Sequence, residues 1–181
     1  MNSAVIVAGG LGVRFANEIP KQFIKIHSQE ILSFSVKTFL KHPKIGEVII
    51  VSHPDWMTHV VSQYPECHVV PGGERRQDSS LNGVNATSEE SINVLIHDAV
   101  RPLVSKEIIS DCLSALENYD ASAPIILPVD SLIKWDGQKA ISVDRENIKI
   151  VQTPQCFNKV IILDVLKSDI AGTDEIGMLL G

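Results

Sequence analysis

The sequence predicts an α/β fold: a mostly parallel sheet with helices on both faces. Three observations carry this. Short Val/Ile-rich runs alternate with segments of helical period, a βαβα order that parallel sheets use. The runs are apolar almost throughout, as strands covered on both faces are. A glycine-rich turn follows the first run, at the end of a strand where such sheets cradle anions.

In chain order, Ser3 to Ala8, Glu47 to Ser52, His68 to Val70 and Ile92 to His97 read as buried strands, bounded by Gly, Pro or polar turns. Between them, Ile31, Leu32, Ser35, Val36, Phe39 and Leu40 form rows four apart, the signature of a helix. Asp55 to Gln63, Asp78 to Ala86 and Ser105 to Glu117 read as further helices, with Ser105 as N-cap and Glu107 acidic in the first turn. The pattern then changes to four strand-like segments, APIILPV, SLIKW, KAISV and NIKIV, with Asp136-Gly137 as a hairpin signal between the middle two. Such a hairpin, at about 130–148, is an arm reaching a second subunit or an edge ribbon of the sheet. NKVIILDVLKSDI closes as an amphipathic helix, and residues 1–181 read as one domain without linker or repeat.

Composition narrows the function classes. Of 181 residues, 44% are apolar and 21% charged, enough to bury a core without a disulfide or metal staple. With 16 Lys+Arg against 22 Asp+Glu the net charge is −6, which disfavours a nucleic-acid binder but leaves room for a local phosphate site. Cys67, Cys112 and Cys156 are odd in number and widely spaced, with no metal-ligand spacing. No run is long and apolar enough for a membrane span, and no signal-peptide pattern opens the chain. These features point to the cytoplasm, with no membrane partner.

Three loops carry chemistry. Ala8-Gly9-Gly10-Leu11-Gly12-Val13-Arg14-Phe15, followed by Pro20-Lys21-Gln22, lacks the GK[ST] ending of a Walker A and the last glycine of a dinucleotide fingerprint. Its distinguishing feature is the pair of cations, Arg14 and Lys21, suited to a triphosphate whose leaving pyrophosphate develops charge. Otherwise it is a glycine turn with solvated cations. Gly72-Gly73-Glu74-Arg75-Arg76-Gln77-Asp78-Ser79 follows another strand and opens a helix, where Asp78 and Ser79 serve equally as caps. His97-Asp98-Ala99-Val100-Arg101-Pro102 ends a buried strand. There Asp98 is placed to hold Mg²⁺ and Arg101 to pair a phosphate, or the two fasten the loop to each other. His97 reads as structural rather than as a base. Arg14, Arg76, Arg101 and Arg145 all lie in loops of this kind, which leans towards an anionic substrate.

AGGLGVRF, PKQF, GGERRQDS, HDAVRP, VDSLIK, VDRENI and QTPQCF, in this order, resemble the 2-C-methyl-D-erythritol 4-phosphate cytidylyltransferases and their relatives acting on ribitol 5-phosphate. The resemblance spans about Ala4 to Phe157. It implies a Rossmann-like nucleotidyltransferase fold with a projecting β-hairpin arm, acting on CTP with Mg²⁺. The acceptor's phosphate oxygen attacks the α-phosphate in line and pyrophosphate leaves.

By motif position the resemblance implies that Arg14 and Lys21 are catalytic. Ala8, Gly9, Gly10, Leu11, Gly12, Gly73, Ser79 and Ala99 would bind the nucleotide, and Asp98 the metal. Arg101 and Thr153 would bind the sugar phosphate, with Asp130, Ser131 and Arg145 lent by the arm across a homodimer. Ser131 stands where the family has threonine, which keeps the hydroxyl. The family continues past the segment matching Thr173-Asp174-Glu175 into a strand with a functional lysine that has no counterpart before Gly181. Methylerythritol phosphate is the expected acceptor, giving an isoprenoid precursor. The alternatives are ribitol or another polyol phosphate for cell-surface polymers, or a truncated paralogue that binds nucleotide without turnover.

Overall fold

The computed structural model describes residues 1–10, 19–168, 170 and 172–181. Leu11, Gly12 and Arg14 therefore lie outside the described residues. The central sheet is built on β1 (Asn2–Ala8), flanked in parallel by β4 (Glu47–Ser52) and β6 (Asn93–Asp98). β5 (His68–Pro71) extends it beyond β4, again in parallel. On the other side, β12 (Gln155–Asn158) and β7 (Ala121–Ser122) complete the order β5-β4-β1-β6-β12-β7. β12 pairs antiparallel with both β6 and β7, so the sheet is mostly rather than wholly parallel.

Strand alternation divides the core into two faces. Ala4, Ile6 and Ala8 of β1 pack with buried residues of α1 (Ile31–Leu40), α2 (Met57–Gln63) and α4 (Lys106–Ala115). Val5 faces the opposite layer with α3 (Arg76–Asn85), α5 (Lys159–Lys167) and α6 (Glu175–Leu180). Ala4, Val5 and Ile6 are fully buried, as the near-continuous apolar run requires. The Ser105 side chain caps α4 by accepting the Ile108 N–H at 3.3 Å.

Several expectations are corrected. The QTPQ segment runs into a strand that the pattern did not predict, because Gln155 to Asn158 find the free edge of β6. The run APIILPV forms only β8 (Ile125–Ile126), paired with β11 (Ile150–Val151), since prolines at 124 and 128 bound it. The segment from Asp55 opens as a 3₁₀ turn, Pro54–Trp56, before α2. A small hairpin of β2 (Lys25–Ile26) and β3 (Gln29–Glu30), and helix α6, are additions that the periodicity did not reveal.

The hairpin of β9 (Leu132–Trp135) and β10 (Ala140–Val143) forms its own two-stranded sheet apart from the central one. Gly137 takes φ +100° at its turn, and the Asp136 carboxylate accepts the N–H groups of Gln138 and Lys139 at 2.9 and 2.7 Å. Among the described residues no helix is long and apolar enough to cross a membrane.

Candidate active site

The chain leaves β1 for β4 on one side and later returns to β6 on the other. β1 and β6 therefore mark the topological switch point, where open α/β sheets bind ligands outside their strands' carboxyl ends. A cleft of about 570 Å³ opens there, within the ordinary range for ligand sites. It gathers Ala8, Gly9, Gly10, Gly73, Ser79 and Ala99 of the expected nucleotide residues, with Lys21, expected to be catalytic, and Asp98, expected to hold the metal.

Local hydrogen bonds explain how the glycine loops meet. Gly72 N–H donates to the Ser52 carbonyl at 2.7 Å, continuing the sheet, and Gly73 N–H donates to Ser79 Oγ at 3.0 Å. A Cβ on Gly73 would sit 2.3 Å from Asp78 Cβ, so only glycine lets this loop close on the start of α3. Ser79 Oγ accepts the loop N–H and keeps its own hydroxyl proton as a donor.

Lys21 opens a 3₁₀ turn, Lys21–Phe23, immediately after Pro20. Gln22 is almost wholly buried, and its Nε2 donates to the carbonyls of Ala8 at 2.7 Å and Gly10 at 3.0 Å. Phe23 stacks on Trp56 with ring centroids 4.6 Å apart, and His59 meets both rings edge-on. Glu30 receives His59 Nε2 and the Tyr64 hydroxyl, each at 2.8 Å. Lys21 is thereby mounted on a turn fixed to the glycine loop on one side and to α2 on the other.

Asp98 is the charged centre of the cleft. Oδ1 accepts from Arg76 Nη1 at 2.7 Å and Oδ2 from Arg101 Nε at 2.8 Å. Burial pushes its carboxyl upward, but the Arg76 charge and the hydrogen bonds from Arg101 and Arg76 outweigh it and hold the group below its ordinary value. Arg76 also donates Nη2 to Glu175 at 3.0 Å. Burial opposes its charge too, yet Glu175 and Asp98 together raise its pKa.

Among the described residues no cluster of three or more His, Cys, Asp or Glu is arranged to hold a metal. Two carboxylates, Glu74 and Asp98, line the cleft, which suits Mg²⁺, an ion that keeps waters and takes one or two carboxylates together with substrate phosphates. These residues could hold such an ion.

Beyond Asp98 a second cleft of about 500 Å³ is lined by His97, Arg101, Gln152 and Thr153, with Ile125 and Ile126 on its apolar side. Arg101 Nη1 donates to Gln152 Oε1. Fully buried His97 meets the Arg101 carbonyl through Nε2 at 3.1 Å and Thr153 Oγ1 through Nδ1 at 2.9 Å. A carbonyl can only accept, so Nε2 carries the hydrogen and Nδ1 accepts from the threonine. Burial lowers the His97 pKa to about 4, only partly offset by the Arg101 carbonyl and the Asp98 charge. Thr153 also accepts the Asp98 N–H at 3.3 Å, so its hydroxyl is engaged on both sides.

Asp130, Ser131 and Arg145 do not join either cleft. Arg145 donates to the Val129 carbonyl at 2.5 Å and borders a separate hollow with Leu127 and Lys149. Four contributors were not among the residues singled out for the site: Gln22, Gln152, Gln155 and Glu175. PKQ and QTPQ placed three of them within quoted motifs, but their side-chain hydrogen bonds join positions far apart in sequence and left no local signal.

The family model described as 2-C-methyl-D-erythritol 4-phosphate cytidylyltransferase matches residues 2–179. A curated relative of that name from Clostridium botulinum (strain Langeland) is 40% identical over 172 residues, covering 90% of this chain and 75% of the relative. One from Roseobacter denitrificans is 39% identical over 159 residues, covering 86% and 71%. The solved 4-diphosphocytidyl-2C-methyl-D-erythritol synthase from Anaerococcus prevotii superposes with a TM-score of 0.86 at 25% identity, over 99% of this chain and 81% of that one. The cytidylyltransferase of Thermus thermophilus shares the fold, with a TM-score of 0.79 at 23% identity, over 97% and 82%. Glycine loops meeting at a β1/β6 switch point, on a chain matched almost end to end, make this protein a member of the 2-C-methyl-D-erythritol 4-phosphate cytidylyltransferase family.

Proposed function

We propose that the protein transfers CMP from CTP to 2-C-methyl-D-erythritol 4-phosphate, a step of isoprenoid precursor synthesis. An oxygen of the acceptor phosphate forms a new bond to the α-phosphorus, the bond to the β-phosphate oxygen breaks, and pyrophosphate leaves. The observation that carries this reading is the cleft in which Lys21 and Asp98 face the two glycine loops. Family membership supplies the nucleotide and the acceptor.

In this reading Ala8, Gly9, Gly10, Leu11, Gly12, Gly73, Ser79 and Ala99 hold the nucleotide. Lys21 and Arg14 stabilise charge on the phosphates as the bond to pyrophosphate breaks. Asp98 would hold Mg²⁺, which when bound neutralises phosphate charge and orients the triphosphate. Arg101 and Thr153 meet the acceptor phosphate in the adjoining cleft, the threonine by turning its hydroxyl away from His97.

The arm completes the site from a second copy of the chain. Asp130, Ser131 and Arg145 lie away from the clefts of their own chain, and the exposed Ile133, Trp135 and Ile141 give the arm an apolar surface for a partner. A homodimer accounts for both. Three free thiols fit the reducing cytoplasm.

Pyrophosphate release from CTP and Mg²⁺, with methylerythritol 4-phosphate and ribitol 5-phosphate in parallel, tests the reaction and its acceptor. Turnover with the first is expected. Turnover with ribitol 5-phosphate alone would refute the acceptor, and silence with both from folded protein would refute the reaction. The names of the quoted relatives favour methylerythritol phosphate over ribitol phosphate, and turnover over passive binding.

A further inference from the structure

Glu175 is a carboxylate that the reaction does not use, yet it is only 1% exposed and lies one residue away from the cleft's charged centre. It is held firmly. Oε1 accepts from Ser80 Oγ at 2.5 Å and Oε2 from Arg76 Nη2 at 3.0 Å. Its neighbour Asp174 caps α6 by accepting the Gly177 N–H at 2.8 Å. Buried Gln155 fastens the same turn, donating to Asp174 Oδ2 and accepting the Ile176 N–H, each at 2.8 Å.

Arg76 therefore bridges two carboxylates, Glu175 through Nη2 and Asp98 through Nη1, while Arg101 holds the other Asp98 oxygen. Two cations and two anions cancel. Among the described residues the Arg76 Nε is buried without a hydrogen-bond partner. The guanidinium is thus aimed to serve both carboxylates through its two Nη groups, while its Nε–H goes unused.

We infer that Glu175 is a positioning residue that sets the divalent-cation requirement of Asp98 by drawing part of the Arg76 charge away from it. A cation approaching Asp98 competes with Arg76 and Arg101 for the same oxygens. With Glu175 charged, Arg76 has a second anchor and yields Asp98 readily. With Glu175 neutral, Arg76 rests wholly on Asp98, and the local charge turns positive by one. The inference rests on the reading of Asp98 as the metal carboxylate.

The test is Glu175→Gln, which keeps the side-chain shape and removes the charge. Calorimetry of CTP binding, without acceptor, gives the Mg²⁺ concentration at which binding is half-restored, and a parallel titration in EDTA gives metal-free binding. The half-restoring Mg²⁺ should rise on the order of tenfold, within the ordinary range of couplings between sites, while binding in EDTA is not weakened. An unmoved or lowered Mg²⁺ requirement overturns the inference, as does equal weakening with and without metal, the signature of a merely loosened fold.

The double variant Arg76→Gln/Glu175→Gln leaves neither partner buried with an unpaired charge, and serves also where the single variant does not fold. It should lack the rise; a rise equal to the single variant's shows that Glu175 does not act through Arg76. Asp98→Asn separates the two readings. If it leaves the Mg²⁺ dependence unmoved, the metal reading falls and this inference with it. If it moves that dependence and Glu175→Gln does not, the inference alone falls.

Discussion

Acid should weaken this protein through His97 before its surface carboxylates matter. The ring is fully buried, stands edge-on to Phe39 with centroids 5.2 Å apart, and spends both nitrogens on Arg101 and Thr153. Its folded-state pKa is about 4 against an ordinary 6.5. Above pH 6.5 both folded and unfolded forms carry neutral imidazole and the full stability is present. Between 6.5 and 4 the unfolded chain binds a proton that the folded chain refuses, so stability falls as pH falls. At about 1.4 kcal/mol per pH unit the loss totals about 3 kcal/mol, a large part of an ordinary domain's stability.

The assay is urea unfolding of the wild type and of His97→Gln at a series of pH values from 7.5 to 4. The variant keeps an N–H for the Arg101 carbonyl but has no group to titrate in this window. It should be the less stable protein at pH 7.5, with its deficit shrinking by about 3 kcal/mol towards pH 4. Parallel stability curves for the two proteins would refute the reasoning, because they would mean that His97 takes up its proton without unfolding.

Three other outcomes follow from the same geometry. Lys21→Ala should lower kcat by about 10²-fold or more while changing CTP affinity little, as loss of a group acting on developing charge does; a fall confined to affinity contradicts that role. Gln22→Leu strips the two donors from the Ala8 and Gly10 carbonyls, so it should cost about 1–3 kcal/mol in urea and weaken CTP binding; unaltered CTP binding would show that the loop holds its shape unaided. Gly83→Ala puts a Cβ 2.3 Å from Val5 Cγ1 and 2.7 Å from Val51 Cγ2, so it should destabilise by about 1–3 kcal/mol despite alanine's better helix propensity; a raised Tm would mean that α3 shifts freely on the sheet.

The strands β1, β4 and β6 and the main helices were legible because each is a local pattern: continuous Val/Ile runs for doubly covered strands, rows four apart for helices. β5 was legible as a strand, but it lies at the sheet's edge and is half-exposed rather than buried. The glycine loops and Asp98 were legible for a related reason, since residues at the end of a buried strand inherit a position from it. β12 was not legible because Gln155 to Asn158 become a strand only where β6 offers an edge, and no period within four residues reports that. α6 is short enough that its pattern is not distinctive.

The sequence by itself determined the fold class, the loops that build the cleft and the likeness to a family, all of which depend on residue type at fixed spacing along the chain. Only the tertiary structure decided how these parts are wired. It tied Gln22 to the glycine loop, closed His97 and Thr153 on each other, and set Arg76 between Asp98 and Glu175, residues 22 and 99 positions from it. Such bonds depend on distance and direction in space, and the order of residues along a chain encodes neither until the sheet brings its strand ends together.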